Sequence, residues 1–237
     1  MAIWTIADLH LSFNENKPMD IFGDNWKNHE EKIKQDWLNK VSDNDLVLLP
    51  GDFSWSMYLE DTVKDFEYIN QLPGKKILLK GNHDYWWTTV TKMRNFIEEQ
   101  GFKNIDFLHN NSFEYDGLII AGTKGWALFG EEYDEKLVKR EMLRLEISIT
   151  DGIKKYGEDK EIIVCMHYPP TTKNGEMEFI NIMKKYNVKQ CLYGHLHSTA
   201  IQGAVEGEFY GIGLKLVSAD GLDFKLLKVK DWKWFIN

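Results

Sequence analysis

The segment Lys76-Ile77-Leu78-Leu79-Lys80-Gly81-Asn82-His83-Asp84 passes from an apolar run directly into side chains with chemistry to offer. A short run of that character, followed by a glycine, predicts a buried strand ending in a sharp turn. Asn82 offers a neutral oxygen ligand, and His83 a proton near neutral pH. Asp84 is a carboxylate able to hold or support the imidazolium. The same layout recurs elsewhere in the chain. An apolar run at 2–7 leads into Asp8-Leu9-His10. Another at 45–49 leads through Pro50 into Gly51-Asp52. A third at 162–166 ends at His167, stiffened by Tyr168-Pro169-Pro170, and a fourth at 190–193 ends in Gly194-His195-Leu196-His197.

The segments between these runs have helical spacing. Trp26, His29, Ile33, Trp37 and Val41 recur at intervals of three and four, as do Leu59, Val63, Phe66, Ile69 and Leu72 before Pro73-Gly74. Residues 88–100 predict a further helix ending at Gly101. Strand–helix–strand order implies parallel strands with right-handed crossovers. In the middle, 105–109, 112–115 and 118–121 predict closely spaced strands. Asn110-Asn111 and Asp116-Gly117 are the turns, the latter a hairpin signal. A long helix is expected over 131–156, with a stripe of Val138, Met142, Leu145, Ile149, Ile153 and Tyr156. The last forty residues predict antiparallel strands between glycines. This order fits an α/β fold of two mixed sheets facing each other with helices outside, in one domain over 1–237.

Composition narrows the function. The 237 residues carry 29 basic and 37 acidic side chains, a formal net charge of -8. That balance argues against broad contact with nucleic acid or an anionic membrane. Two cysteines, Cys165 and Cys191, exclude a disulfide scaffold and a thiolate-rich zinc site; inside predicted strands they read as small core residues. No apolar run reaches the length of a membrane span. No basic region precedes the first apolar run, so the expected compartment is the cytoplasm.

Five of the seven histidines, His10, His83, His167, His195 and His197, follow predicted strands, where open sheets place their ligands. In extended chain Asp8 and His10 point to one side, as do His195 and His197. His29 and His109 fall in a helix stripe and a hairpin and need no role. Gly23-Asp24 has no apolar run before it and reads as a loop.

The ordered set Asp8-x-His10, Gly51-Asp52, Gly81-Asn82-His83-Asp84, His167 and Gly194-His195-x-His197 resembles the calcineurin-like metallophosphoesterase superfamily. The motifs span residues 8–197. The resemblance implies a four-layer αββα sandwich with a two-metal site at one edge. It implies that Asp8, His10 and His197 hold one metal, that Asn82, His167 and His195 hold the second, and that Asp52 bridges both. His83 would stand near the phosphate without binding metal, partnered by Asp84. The family's second motif usually reads Gly-Asp-x-x-Asp, but Trp55 stands at its last position here. A carboxylate that would orient a neighbouring histidine is thereby missing.

Such a site predicts a metal-dependent phosphohydrolase. A hydroxide bridging two metals would attack phosphorus, and His83 would protonate the leaving oxygen. Two divalent ions outweigh Asp8 and Asp52, leaving a positive centre within an acidic chain. Nitrogen and oxygen ligands favour manganese or iron, with zinc as an alternative. Phosphodiesters rank slightly ahead of phosphomonoesters. His-Tyr-Pro-Pro is similar to a stretch in bacterial cyclic-nucleotide phosphodiesterases. Asp-Leu-His-Leu looks like the start of the sugar-nucleotide pyrophosphatases of lipid A synthesis, although no apolar helical lid is visible. Lys17, Tyr85, Trp86, Lys124 and Tyr168 are candidate contacts to a small phosphorylated substrate; packing or solvent exposure is the alternative for each. Trp126 shares the loop of Lys124. Trp87 belongs with the aromatic pair before it, and Trp232, Trp234 and Phe235 could cover a sheet face or a dimer contact. The competing class is a non-catalytic scaffold of the same fold, which would typically have lost ligands or the histidine.

Overall fold

A computed structural model describes residues 1–14 and 17–229. Trp232, Trp234 and Phe235 lie outside the described residues. In chain order the elements are β1 (Ile3–Thr5), α1 (His29–Lys40), β2 (Leu46–Pro50), α2 (Val63–Asn70), β3 (Lys75–Leu79), α3 (Val90–Glu99), β4 (Ile105–Leu108), β5 (Phe113–Tyr115), β6 (Leu118–Thr123), α4 (Glu135–Tyr156), β7 (Ile162–Met166), α5 (Glu178–Lys185), β8 (Val188–Tyr193), β9 (Gly207–Phe209), β10 (Ile212–Leu216) and β11 (Leu227–Lys228). Short 3-10 turns occur at Met19–Phe22, Asp24–Trp26, Leu59–Thr62 and Ser198–Gly203.

The strands form two mixed sheets. The first has the order β11-β1-β2-β3-β4, parallel except for β11. The second has the order β5-β6-β7-β8-β10-β9, parallel in its centre with an antiparallel strand at each edge. Side-chain alternation sorts the apolar residues into three slabs. Leu46, Leu48, Ile77, Ile120, Ile163, Cys165 and Leu192 face the interior between the sheets. Val47, Leu49 and Leu78 face the other way, against Ile33 and Trp37 of α1, Phe66 and Ile69 of α2, and Met93 and Phe96 of α3. Val164, Met166 and Cys191 meet Val138, Leu145 and Ile149 of α4 and Phe179, Ile180 and Met183 of α5. Three apolar slabs make four layers, the αββα order the sequence predicts. Among the described residues no helix is long and apolar enough to cross a membrane.

Several boundaries move for physical reasons. The long helix begins at Glu135 rather than 131, because the Asp134 side chain accepts from the Lys136 and Leu137 amides at 2.8 and 3.1 Å and caps it there. The tail is not purely antiparallel: β9 and β10 form a hairpin, but β10 runs parallel to β8. α5 has no counterpart in the sequence reading. It is only eight residues long, and its buried Phe179, Ile180 and Met183 give too short a stripe to stand out. The hairpin at Asp116-Gly117 is present, both residues having positive φ.

Because β1, β2 and β3 are mutually parallel, their C-terminal ends share one edge; the same holds for β6, β7, β8 and β10. The two edges are joined at Ala7, whose amide donates to Val217 and whose carbonyl accepts from Ala219, at 2.7 and 3.0 Å.

Candidate active site

After β1 and β2 the backbone leaves the pleat. Asp8, His10 and Asp52 have φ of 60°, 45° and 51°, in the left-handed region, and Gly51 has φ of 94°. The predicted extended alignment of Asp8 and His10 is therefore incorrect; successive left-handed turns bring them to one side instead. Hydrogen bonds hold the turns in register: Asp8 N to Gly51 O at 2.9 Å, His10 N to Asp52 O at 3.0 Å. A Cβ on Gly81 would collide with Asp52 Oδ1, and one on Gly194 would collide with Asp8 Oδ2. These two glycines each make room for a carboxylate from another motif, and Gly51 makes room for the His167 ring.

Asp84 organises the first sheet's loops. Fully buried, it accepts from the amides of Asp52, Phe53, Ser54 and Gly81 and from the Trp86 indole, at 2.7–3.2 Å. It is not the partner of the His83 ring, whose Nδ1 is buried without a hydrogen bond. His83 is placed instead through its backbone, which donates to Asp52 Oδ1 at 2.8 Å. Trp86 is a further correction. It is buried, packed on Phe53, Phe66 and Phe107, and tied to Asp84, so it belongs to the core. Trp87 is buried beside it.

The donors from both sheets converge. Asp8, His10 and His197 present ligand atoms within 4.8 Å of one another, and so do Asp8, Asp52 and His167. His10 Nε2 and His167 Nε2 lie 3.7 and 3.5 Å from Asp52 Oδ2, and His197 Nε2 lies 3.3 Å from Asp8 Oδ1. Asn82 Oδ1 meets His167 Nε2 at 2.6 Å and His195 Nδ1 at 2.9 Å. His167 Nδ1 lies 3.1 Å from the Pro50 carbonyl, which can only accept, so this nitrogen carries hydrogen and a neutral ring aims its lone pair inward. His197 Nδ1 meets Asp220 Oδ1 at 2.8 Å. Asp220, which also accepts from the Ser198 amide, is the residue sequence reasoning missed. Its context, Ser218-Ala219-Asp220-Gly221, reads as an ordinary turn.

Burial pushes the Asp8 and Asp52 carboxyls above their usual range, Asp52 further because Asp8 and Asp84 lie near it. Burial holds His10 and His167 well below the ordinary imidazole value, and brings His195 down to about 4 with help from nearby cationic groups. Burial also opposes charge on His197, but Asp8 and Asp220 outweigh it and raise its pKa to about 10. Two buried carboxylates and several buried imidazoles, one of them with an Nε2 lacking any hydrogen bond, fit a site for metal cations. A divalent cation would replace the proton of His197 as the partner of Asp8.

Trp55 fills the place of the family's carboxylate. Its ring stacks on His10 at 4.8 Å and 24° and lies 4.5 Å from His83. His10 Nδ1 is buried with no hydrogen-bond partner, so the stacked aromatic face is what orients this ring. Lys17 Nζ stands 5.2 Å over Trp55, and the exposed Tyr85 meets His83 edge-on at 6.1 Å. Lys124, half-buried with its pKa brought down by burial to about 8, has Nζ 4.0 Å from the Trp126 ring and 5.6 Å from Tyr168. Tyr168 packs on His195 with ring centres 4.1 Å apart. His29 has a structural place, with Nε2 2.9 Å from the Leu9 carbonyl inside the first motif.

Comparisons with known proteins agree with this architecture. An Aquifex aeolicus protein of unknown function, AQ665, superposes with a TM-score of 0.53 at 18% identity, over 97% of this chain and 96% of that one. The Mycobacterium tuberculosis phosphopantetheinyl hydrolase PptH gives 0.59 at 13% identity, over 96% and 95%. The Thermus thermophilus protein TT1561 gives 0.58 at 13% identity, over 96% and 97%. These likenesses are of fold. In sequence, the Gene 66 protein of Mycobacterium phage L5 is 28% identical over 81 residues, 34% of this chain, and the match spans only 39% of that relative's length. The family model for calcineurin-like phosphoesterases matches residues 1–199, a stretch that contains every motif described above, and the chain belongs to that family.

Proposed function

We propose that the chain is a metal-dependent phosphohydrolase, acting on a phosphodiester in preference to a phosphomonoester. The observation that carries this reading is the convergence of seven donor side chains from five loops on one edge of two sheets, with His83 beside them. In this reading Asp8, His10 and His197 hold one ion, Asn82, His167 and His195 the other, and Asp52 both. Two bound ions would polarise phosphoryl oxygens and supply a nucleophilic water at neutral pH. The nitrogen and oxygen donors favour manganese or iron, with zinc the alternative.

The chain's own groups do the rest. Asp84 fixes the two loops that carry Asp52 and Asn82. Lys124 and Lys17 place cations to either side of the donors and attract the ester's negative charge. His83 stands where it can give a proton to the leaving oxygen. Burial lowers its pKa, as do His197 and Lys17, while Glu132 opposes them. A bound phosphate adds negative charge beside the ring and favours the imidazolium.

The test is hydrolysis of bis-p-nitrophenyl phosphate against p-nitrophenyl phosphate, with manganese or a chelator. Manganese-dependent turnover with the diester faster is expected. His83→Ala should lower it about 10²- to 10⁴-fold with metal content intact. Two bound metals with neither ester cleaved would contradict the catalytic reading; metal loss in His83→Ala would make that histidine a ligand.

A further inference from the structure

We propose that the cavity beside His195 receives a planar, apolar alcohol portion of the phosphate ester, and that this portion is neutral or cationic rather than a second anion. The inference rests on the phosphohydrolase reading above. The cavity measures about 410 Å³ and its lining includes His195, so it opens directly from the donor cluster. A volume of that size suits a small-molecule group. A larger groove of about 810 Å³ along Tyr58, Tyr85 and Phe96 touches none of the metal-donor side chains.

The walls are aromatic and aliphatic. Tyr168 lies against His195, and Trp126 stacks on Tyr168 at 5.7 Å and 30°. Leu128 and Phe129 line the same space. Leu128 is nearly buried, whereas Phe129 is 58% exposed, leaving its ring free to cover an occupant. The walls are also tied down. Trp126 Nε1 donates to the Glu132 carbonyl at 2.8 Å, and Tyr168 Oη donates to the Glu132 carboxylate at 3.2 Å. The loop after β6 and the loop after β7 are thereby held as one flat-sided slot.

Charge then selects the occupant. Lys124 Nζ, over the Trp126 ring, is a cation at the edge of this slot, suited to the ester's phosphate. Glu131 and Glu132 both line the cavity itself. Two carboxylates there would repel a second phosphate or a carboxylate. A flat apolar group meets the aromatic faces without that penalty, and a hydroxyl or amine on it could donate to Glu132.

The test is equilibrium binding of phenylphosphonate and methylphosphonate to the manganese-loaded protein, followed by tryptophan fluorescence and checked by a crystal structure of the phenylphosphonate complex. Both carry the same anionic head, and only one carries a ring. Phenylphosphonate should bind about tenfold or more tightly, with its ring against Trp126 and Tyr168. Phe129→Asp, a change at an exposed position, should bring the ratio of the two affinities close to one. Equal affinities in the unaltered protein, or a ring seated elsewhere, would overturn the cavity assignment while leaving the phosphate site standing. Binding of neither phosphonate would overturn the phosphohydrolase reading and this inference with it.

Discussion

The two sheets serve the site by different means. The first sends Asp8, His10, Asp52 and Asn82 from turns where several residues hold left-handed backbone, and one buried carboxylate, Asp84, gathers four amides and an indole to keep those turns together. The second sends only imidazoles, His167, His195 and His197. His167 and His197 are each aimed through the ring by an acceptor, Pro50 and Asp220, and His195 is held by the Tyr168 ring packed on it. Both acidic candidate donors thus come from the loops with the stronger bracing, although His195 of the second sheet also has left-handed backbone, with φ of 73°. Two charged groups held in a dry place need amides and imidazoles arranged before any cation arrives. Imidazoles are neutral when they ligate, so one contact apiece suffices to set their direction.

The contrast is open to direct attack. The largest effect is expected from Asp52→Asn, which removes the carboxylate charge lying between His10 and His167: metal analysis should show both ions weakened and turnover should fall below detection. Full two-metal occupancy in that variant would deny Asp52 its shared place. Next is Asp84→Ala. It strands four buried amides and an indole and should cost about 3–5 kcal/mol in denaturant unfolding. If instead the variant unfolds at the same denaturant concentration and loses only activity, Asp84 is a partner in the chemistry and not a brace. On the other sheet, Asp220→Ala should leave the fold intact and weaken metal binding about 10- to 100-fold, through loss of His197 orientation. A loss of stability as large as that of Asp84→Ala would erase the distinction between the two sheets.

The smallest effect separates bracing from site chemistry. Lys76 of β3 is fully buried, with its ammonium donating to the Leu72 carbonyl, and burial lowers its pKa to about 8. A lysine whose folded pKa is depressed weakens the fold when protonated. That penalty is fully present below pH 8 and disappears as pH rises through 10.5, its unfolded value. Lys76→Met should therefore raise stability by about 1–2 kcal/mol at pH 7, with the gain shrinking between pH 8 and 10.5 and turnover unchanged. Thermal melts across that range check it. A gain independent of pH would mean that packing, not charge, is responsible.

Much of the arrangement is legible in the chain. The buried strands announce themselves as apolar runs, and Asp8, Asp52, Asn82, His167 and His195 stand out because each follows one. The Asp116-Gly117 hairpin is equally plain. Other features are silent for physical reasons. Asp220 follows β10, but Gly213 and Lys215 break up the apolar run there, and Ser218-Ala219-Asp220-Gly221 reads as a turn. Asp84 looks like the companion of His83 because they are adjacent in sequence, yet its acceptor oxygens turn to the loop 31 residues earlier. Trp86 looks like a platform for a substrate ring until Phe53, Phe66 and Phe107 are seen to enclose it. Trp55 shows only as a missing carboxylate; that it lies flat on His10 is a matter of packing.

The amino-acid order by itself determined which residue types stand at the ends of the strands, because apolar runs, glycines and helical spacing are properties of a few neighbouring residues. Tertiary structure alone decided which atoms face each other. The amide of His195 reaches the carboxylate of Asp8 across 187 positions of chain, and that distance closes only when the two sheets pack and their C-terminal edges meet at Ala7.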